Sequence, residues 1–99
     1  MKNTITIYSR PSCAYCLRAK MLMNEEGLVY QEINIQQEPT RRAEMIERSK
    51  RYTVPQIFIG ELAIGGYDDL AMLSATGKLD ELTEKGLTLG ESGSESNKR

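Results

Sequence analysis

Tyr8-Ser9-Arg10-Pro11-Ser12-Cys13-Ala14-Tyr15-Cys16 sets two cysteines three positions apart at a change of backbone period. Upstream, residues 3–9 (Asn-Thr-Ile-Thr-Ile-Tyr-Ser) alternate polar and apolar β-formers and predict a strand. Arg10-Pro11-Ser12 breaks it. From about Ala14 to Glu26 the residues are helix formers, with Cys16, Ala19, Leu22 and Met23 on one stripe, and Gly27 is placed to stop the helix. Cys13 thus falls where a strand ends and a helix begins. Free backbone N–H groups and the positive end of the helix dipole favour a thiolate there, with Arg10 as a candidate for added positive potential. Cys16, one turn on and on the inner stripe, is expected to be less exposed and within reach of a small-loop disulfide. The outer thiol is the candidate nucleophile and the inner one the candidate resolving group.

Working outward, Leu28 to Ile35 reads as a second strand. Pro39 fits the first turn of a second helix over about 39–50, which has little to bury beyond Met45 and Ile46. Thr53-Val54-Pro55 precedes a short apolar strand, Gln56-Ile57-Phe58-Ile59. Gly60-Glu61 then forms a hairpin turn into Leu62-Ala63-Ile64. Gly65-Gly66 opens a third helix, about 68–76, that ends at Gly77, and a fourth runs over about 80–85. The order β-α-β-α-β-β-α-α joins a parallel strand–helix–strand unit to an antiparallel hairpin. An α/β fold with a mixed four-stranded sheet and helices on both faces follows. Residues 1–87 are expected to form one domain. Residues 88–99 form a polar tail whose last ten positions hold no apolar side chain, and disorder is expected there.

The 99 residues suit a single domain with a small core. Thirteen basic against fourteen acidic residues, net charge −1, argue against nucleic acid or an anionic membrane as the main partner. No apolar run approaches the length of a membrane span, and residues 1–7 do not read as a secretory leader. A reducing cytoplasm is the expected compartment, where two cysteines point to catalysis or metal rather than a structural bridge. The bland alternative, two small buried hydrophobes in a helix, fits poorly with a CxxC at a strand-to-helix junction. Two thiolates in a chain without histidine leave a tetrahedral zinc two ligands short and exclude a Cys–His protease.

Together with Ala19-Lys20, Thr53-Val54-Pro55-Gln56-Ile57-Phe58-Ile59 and Gly65-Gly66-Tyr67-Asp68-Asp69-Leu70, the opening motif resembles the bacterial class of the glutaredoxin family. The likeness covers about residues 3–85. Thioredoxin proper, with Trp before the first Cys and Gly-Pro between the two, is a poorer match. The resemblance implies a thioredoxin-like fold and a groove for glutathione, the reductant and co-substrate, with no tightly bound cofactor. In the family the residue before the motif proline pairs its backbone with the glutathione cysteine. That residue is Val54 here, flanked by Thr53, and Pro55 is expected to be cis. The spacing alone equally fits an ordinary strand start with a trans proline, since only about 5–6% of X–Pro bonds are cis. Gly65-Gly66 before Tyr67-Asp68-Asp69 lets backbone approach a ligand and aims helix N–H groups at a γ-glutamyl carboxylate. Asp68 or Asp69 is a candidate for the ligand's amino group, although Asp68 equally suits an N-cap. Arg10 is the candidate for the glycine carboxylate, with Arg42 and Arg51 behind it, and Tyr15 lines the groove.

The implied activity is glutathione-dependent reduction of protein disulfides and protein–glutathione mixed disulfides by a monomer. Ribonucleotide reductase is among the possible targets that the residues leave open. One position departs from the family's commonest motif: Ala14 stands where proline is usual, which removes a φ lock and restores an N–H at the helix start. Family members without that proline in some cases hold a [2Fe–2S] cluster between two protomers with two glutathiones. Cluster carriage through Cys13 is therefore the alternative function, and no metal is otherwise expected.

Overall fold

The alternation read at residues 3–9 becomes the central strand β1, Ile5–Ser9, in a computed structural model that describes residues 4–83. β1 pairs in parallel with β2 (Tyr30–Asn34) and antiparallel with β3 (Gln56–Ile59). β3 pairs antiparallel with β4 (Leu62–Gly65), which gives the order β2-β1-β3-β4. Helix α1 (Ala14–Glu25) makes the crossover that a parallel pair requires. Helices α2 (Pro39–Ser49), α3 (Tyr67–Thr76) and α4 (Lys78–Thr83) complete the expected element order.

Period-2 alternation on the central strands divides the core between the two faces. Ile5, Ile7, Ile57 and Ile59 pack with Ala19 and Met23 of α1, Leu70 of α3 and Leu79 of α4. Tyr8, Ile33, Ile35 and Phe58 meet Met45 of α2 on the other side. The otherwise charged α2 is also tied down by polar contacts. The buried Tyr8 hydroxyl donates to Glu44 and accepts from Arg48 Nη1 at 2.8 Å, and the Arg48 guanidinium lies 4.1 Å from the Phe58 ring centre.

Element ends differ from the sequence reading by a residue or two, each for a local reason. α2 stops at Ser49 because Lys50 turns left-handed (φ 62°) and closes the helix end on Ile46. β2 starts only at Tyr30, since the Leu28 N–H is taken by Met23 at the end of α1. α4 begins at Lys78, directly after the left-handed Gly77, rather than near residue 80. The expected end of α4 near residue 85, the domain boundary at 87/88 and the tail lie outside the described residues. Among the described residues no helix is long and apolar enough to cross a membrane.

Candidate active site

Strand register assembles the site from three separated motifs. Tyr8 pairs with Gln56, so the segment ahead of β3 lies beside the end of β1 and the turn that leads to Cys13. Ile57 pairs with Gly65, which brings Gly66 and the start of α3 to the same end of the sheet. The Val54–Pro55 peptide bond is cis, as the family resemblance implied.

Cys13 is the N-cap of α1, with extended backbone at φ −104° and ψ 110°. Its sulfur accepts the Cys16 N–H at 3.0 Å and donates to the Val54 carbonyl at 3.7 Å. It therefore sits on a donor from the first turn, as a capping oxygen does. The two cysteines are unbridged; Cys13 is half-buried, while Cys16 is 1% exposed. Burial first, and then the hydrogen bond with Cys13, push the Cys16 thiol up to about 12. The backbone at Arg10 and the charge of Lys20 act against that rise. The asymmetry of exposure expected from the helix stripe is present.

A cleft of about 430 Å³ opens at Val54. Its walls include Thr53, Val54, Pro55, Gly66, Tyr67, Asp68, Asp69 and Tyr15. Those are the groove candidates read from sequence, with one exception. Arg10 is exposed and lies outside the lining, and it meets Cys13 through its backbone carbonyl at 3.3 Å. Arg51 lines the cleft instead, with Nη1 3.4 Å from Asp69 Oδ2; Arg42 does not line it. The Tyr15 and Tyr67 rings lie 6.2 Å apart in a tilted stack, and Arg18 sits 5.3 Å from the Tyr15 ring centre.

Asp69, not Asp68, supports the start of α3. The helix begins at Tyr67, so Gly66 is the N-cap and Asp69 the third helical residue, and its Oδ2 accepts the Gly66 N–H at 3.0 Å. The N-cap considered for Asp68 is therefore corrected: the cap lies two residues earlier, and Asp68 is the second helical residue. Sequence reasoning also passed over Gln56. This side chain is 1% exposed, lines the cleft, and donates through Nε2 to the Thr53 carbonyl at 3.0 Å and hydroxyl at 3.4 Å. Its burial follows from the pairing of Gln56 with Tyr8, which local sequence does not announce.

The glutaredoxin family model matches residues 5–64, from β1 into β4. The chain belongs to the glutaredoxin family. It is 50% identical over 78 residues to Glutaredoxin 3 of Escherichia coli K12, covering 79% of this chain and 94% of that protein. A glutaredoxin of Pseudomonas aeruginosa is 46% identical over 78 residues, covering 79% and 93%. The solution structure of a Brucella melitensis glutaredoxin superposes with a TM-score of 0.74 at 49% identity, covering 86% of this chain and 92% of that one. A buckwheat glutaredoxin–glutathione complex superposes with a TM-score of 0.75 at 33% identity, covering 82% and 76%. The fold is accordingly thioredoxin-like, and membership supports a thiol–disulfide oxidoreductase.

Proposed function

We propose that this glutaredoxin-family chain reduces protein disulfides and protein–glutathione mixed disulfides at the expense of glutathione, with Cys13 as nucleophile and Cys16 as resolving thiol. One observation carries the reading: a half-buried sulfur capping a helix, 3.7 Å from the carbonyl that opens a charged cleft, with its partner thiol buried one turn behind. Cys13 attacks the substrate sulfur and keeps one half as a mixed disulfide. A second glutathione or Cys16 then attacks Cys13 Sγ and releases it. The cleft suits an extended anionic tripeptide. Val54 offers backbone to its cysteine, the N–H groups at the start of α3 face its γ-glutamyl carboxylate, and Arg51 supplies positive charge. Asp69 Oδ2 is already engaged twice, by Gly66 and Arg51, which leaves Asp68 as the better-placed acceptor for the ligand's ammonium. The similarity to a chain solved as a glutathione complex supports this placement.

Cysteine variants test the role assignment in an NADPH-coupled assay with glutathione reductase. Cys13→Ser should lose all exchange. Cys16→Ser should keep turnover of glutathione mixed disulfides and lose reduction of those protein disulfides that need a second thiol. Activity in Cys13→Ser with a dead Cys16→Ser would reverse the roles. In the cluster-carrying alternative, which Ala14 motivates, Cys13 is the one accessible thiolate ligand per chain, since Cys16 is buried. Visible absorbance after anaerobic purification separates that reading from the enzyme.

A further inference from the structure

Behind the redox pair lies a polar cluster that thiol exchange at Cys13 does not use. Ser9 Oγ, at the end of β1 and 2% exposed, donates to Glu32 Oε2 at 2.6 Å. Lys20 Nζ donates to the same oxygen at 2.9 Å. Glu32 projects from the edge strand β2, yet its carboxyl is held below the usual range by the Ser9 hydroxyl first and Lys20 second. Lys20 in turn has its pKa raised, chiefly by the hydrogen bond to Glu32, so it stays an ammonium throughout the working range. Lys20 lies four positions after Cys16 on α1, which makes them neighbours on one helix face, about 5–6 Å apart at Cβ.

We propose that Lys20, tethered by Glu32 and Ser9, is a positioning residue for the resolving step: its charge stabilises the Cys16 thiolate as that sulfur attacks. The assignment rests on the glutathione reading of the same site. The charged and titratable groups that act on Cys16 are Cys13 at the cap of its helix, Lys20 on the helix itself, Arg10 through its backbone, and Glu32 of β2 behind Lys20. Before the first exchange, Cys13 itself opposes ionisation of Cys16. Once Cys13 is bonded to glutathione its sulfur is neutral, and burial is then countered by the Arg10 backbone and by Lys20. In the step, Cys16 gives its proton to solvent and its electron pair forms a bond to Cys13 Sγ. The Cys13–glutathione S–S bond breaks, and the leaving glutathione sulfur takes that pair and then a proton. Cys16 and Cys13 end as a disulfide, and glutathione ends reduced.

A unit charge held about 6 Å from the sulfur would favour its ionised form by about threefold at the dielectric of water and a hundredfold at an effective value near 20. A less acidic thiol is also a better nucleophile once ionised, with a Brønsted slope of about 0.4–0.5, so roughly the square root of that factor reaches the rate. Lys20→Met should therefore slow the resolving step about two- to tenfold. The experiment mixes the reduced chain with excess glutathione disulfide, quenches with acid on the millisecond scale, and separates mixed from intramolecular disulfide by mass. Expected are an unchanged rate of mixed-disulfide formation, slower conversion in Lys20→Met and Lys20→Gln, and recovery in Lys20→Arg. Glu32→Gln breaks the same ion pair but keeps the ammonium, so it should slow conversion less than Lys20→Met does. Equal slowing by both variants, or normal conversion in Lys20→Met, overturns the assignment of Lys20 alone. A wild-type chain that forms no mixed disulfide overturns the glutathione reading, and the role of Lys20 with it.

Discussion

Gly65→Ala offers a stringent test of how the cleft is built. Gly65 has φ +117°, a region that side chains rarely adopt, and a Cβ placed there would lie 2.2 Å from Asp69 Oδ2 and 2.8 Å from its Cγ. Two costs follow. Positive φ in a residue with a Cβ costs roughly 1–2 kcal/mol. Displacing Asp69 removes the acceptor of the Gly66 N–H, worth about 1 kcal/mol for a helix start. The sum, about 2–3 kcal/mol, corresponds to a Tm lower by about 8–24 °C in a domain of this size. Gly77→Ala is the control: its φ is +82° but nothing lies within 4 Å of the added carbon, so only the backbone cost applies. In an Asp69→Ala background the collision partner is gone and only Arg51 Nη1 remains at 3.1 Å, a flexible end. Gly65→Ala should then cost only its backbone share, a coupling of about 1 kcal/mol between the two sites. Thermal melts of the five chains (wild type, the three single variants and the double variant) and the KM for glutathione, expected to rise roughly tenfold in Gly65→Ala, provide the measurements. Additivity of the two substitutions within about 0.5 kcal/mol, with KM unchanged, would refute the reasoning.

Two further outcomes are expected. Arg51→Ala should raise KM for glutathione more than it lowers kcat, because Arg51 lines the cleft proposed for the tripeptide, and its exposed pair with Asp69 is worth about 1 kcal/mol or less to stability; a fall confined to kcat would place Arg51 elsewhere in the mechanism. Glu32→Gln should lower Tm by a few degrees at pH 7, since its pair with Lys20 is half-exposed and worth about 1 kcal/mol at most. A carboxyl held low contributes stability above its unfolded value of about 4.3 and loses it as pH falls through the folded value. The Tm gap should therefore close below about pH 4, and an equal gap at pH 7 and pH 3 would contradict the assigned pair.

The fold was legible where periodicity is local. Alternation gave β1, the Cys16–Ala19–Met23 stripe gave the buried face of α1, and Gly60-Glu61 gave the hairpin. The parts that depend on distant partners were less visible. Arg10 stands three residues before Cys13 and looked like the natural cation for a ligand, yet the lining cation is Arg51, delivered by the loop after α2. Nothing within residues 48–52 announces this, because the pairing with Asp69 spans 18 positions. Gln56 has the same character: its burial follows from the β1–β3 register rather than from its neighbours in sequence. Lys20 was read as part of a family motif, and its tether needs Ser9 and Glu32 from two strands. The cis bond before Pro55 was legible through resemblance alone, since local spacing does not select it.

The difference between the two thiols comes from helix phase. An α-helix turns about 100° per residue, so positions three apart share a face while those between look elsewhere. Ala14 and Tyr15 are exposed, and Cys16 joins Ala19 and Met23 against the sheet. Cys13 precedes the first helical residue, and its extended backbone places Sγ over the open end of the turn, where it meets the Cys16 N–H. One helix start therefore gives one sulfur a donor and access to the cleft, and gives the other a dry environment. A residue inserted between the cysteines would leave the second in phase with Ala19 and Met23 but turn the helix start, and the first sulfur with it, by about 100°. The first sulfur would then no longer cap the turn that ends at the second, and the proposed order of attack would lose that support. Tyr15 depends on the same phase, because its exposed position lets its ring meet Tyr67 and wall the cleft. The spacing of the motif thus sets the surroundings of both sulfurs, on which their proposed roles rest, and one side of the cleft together.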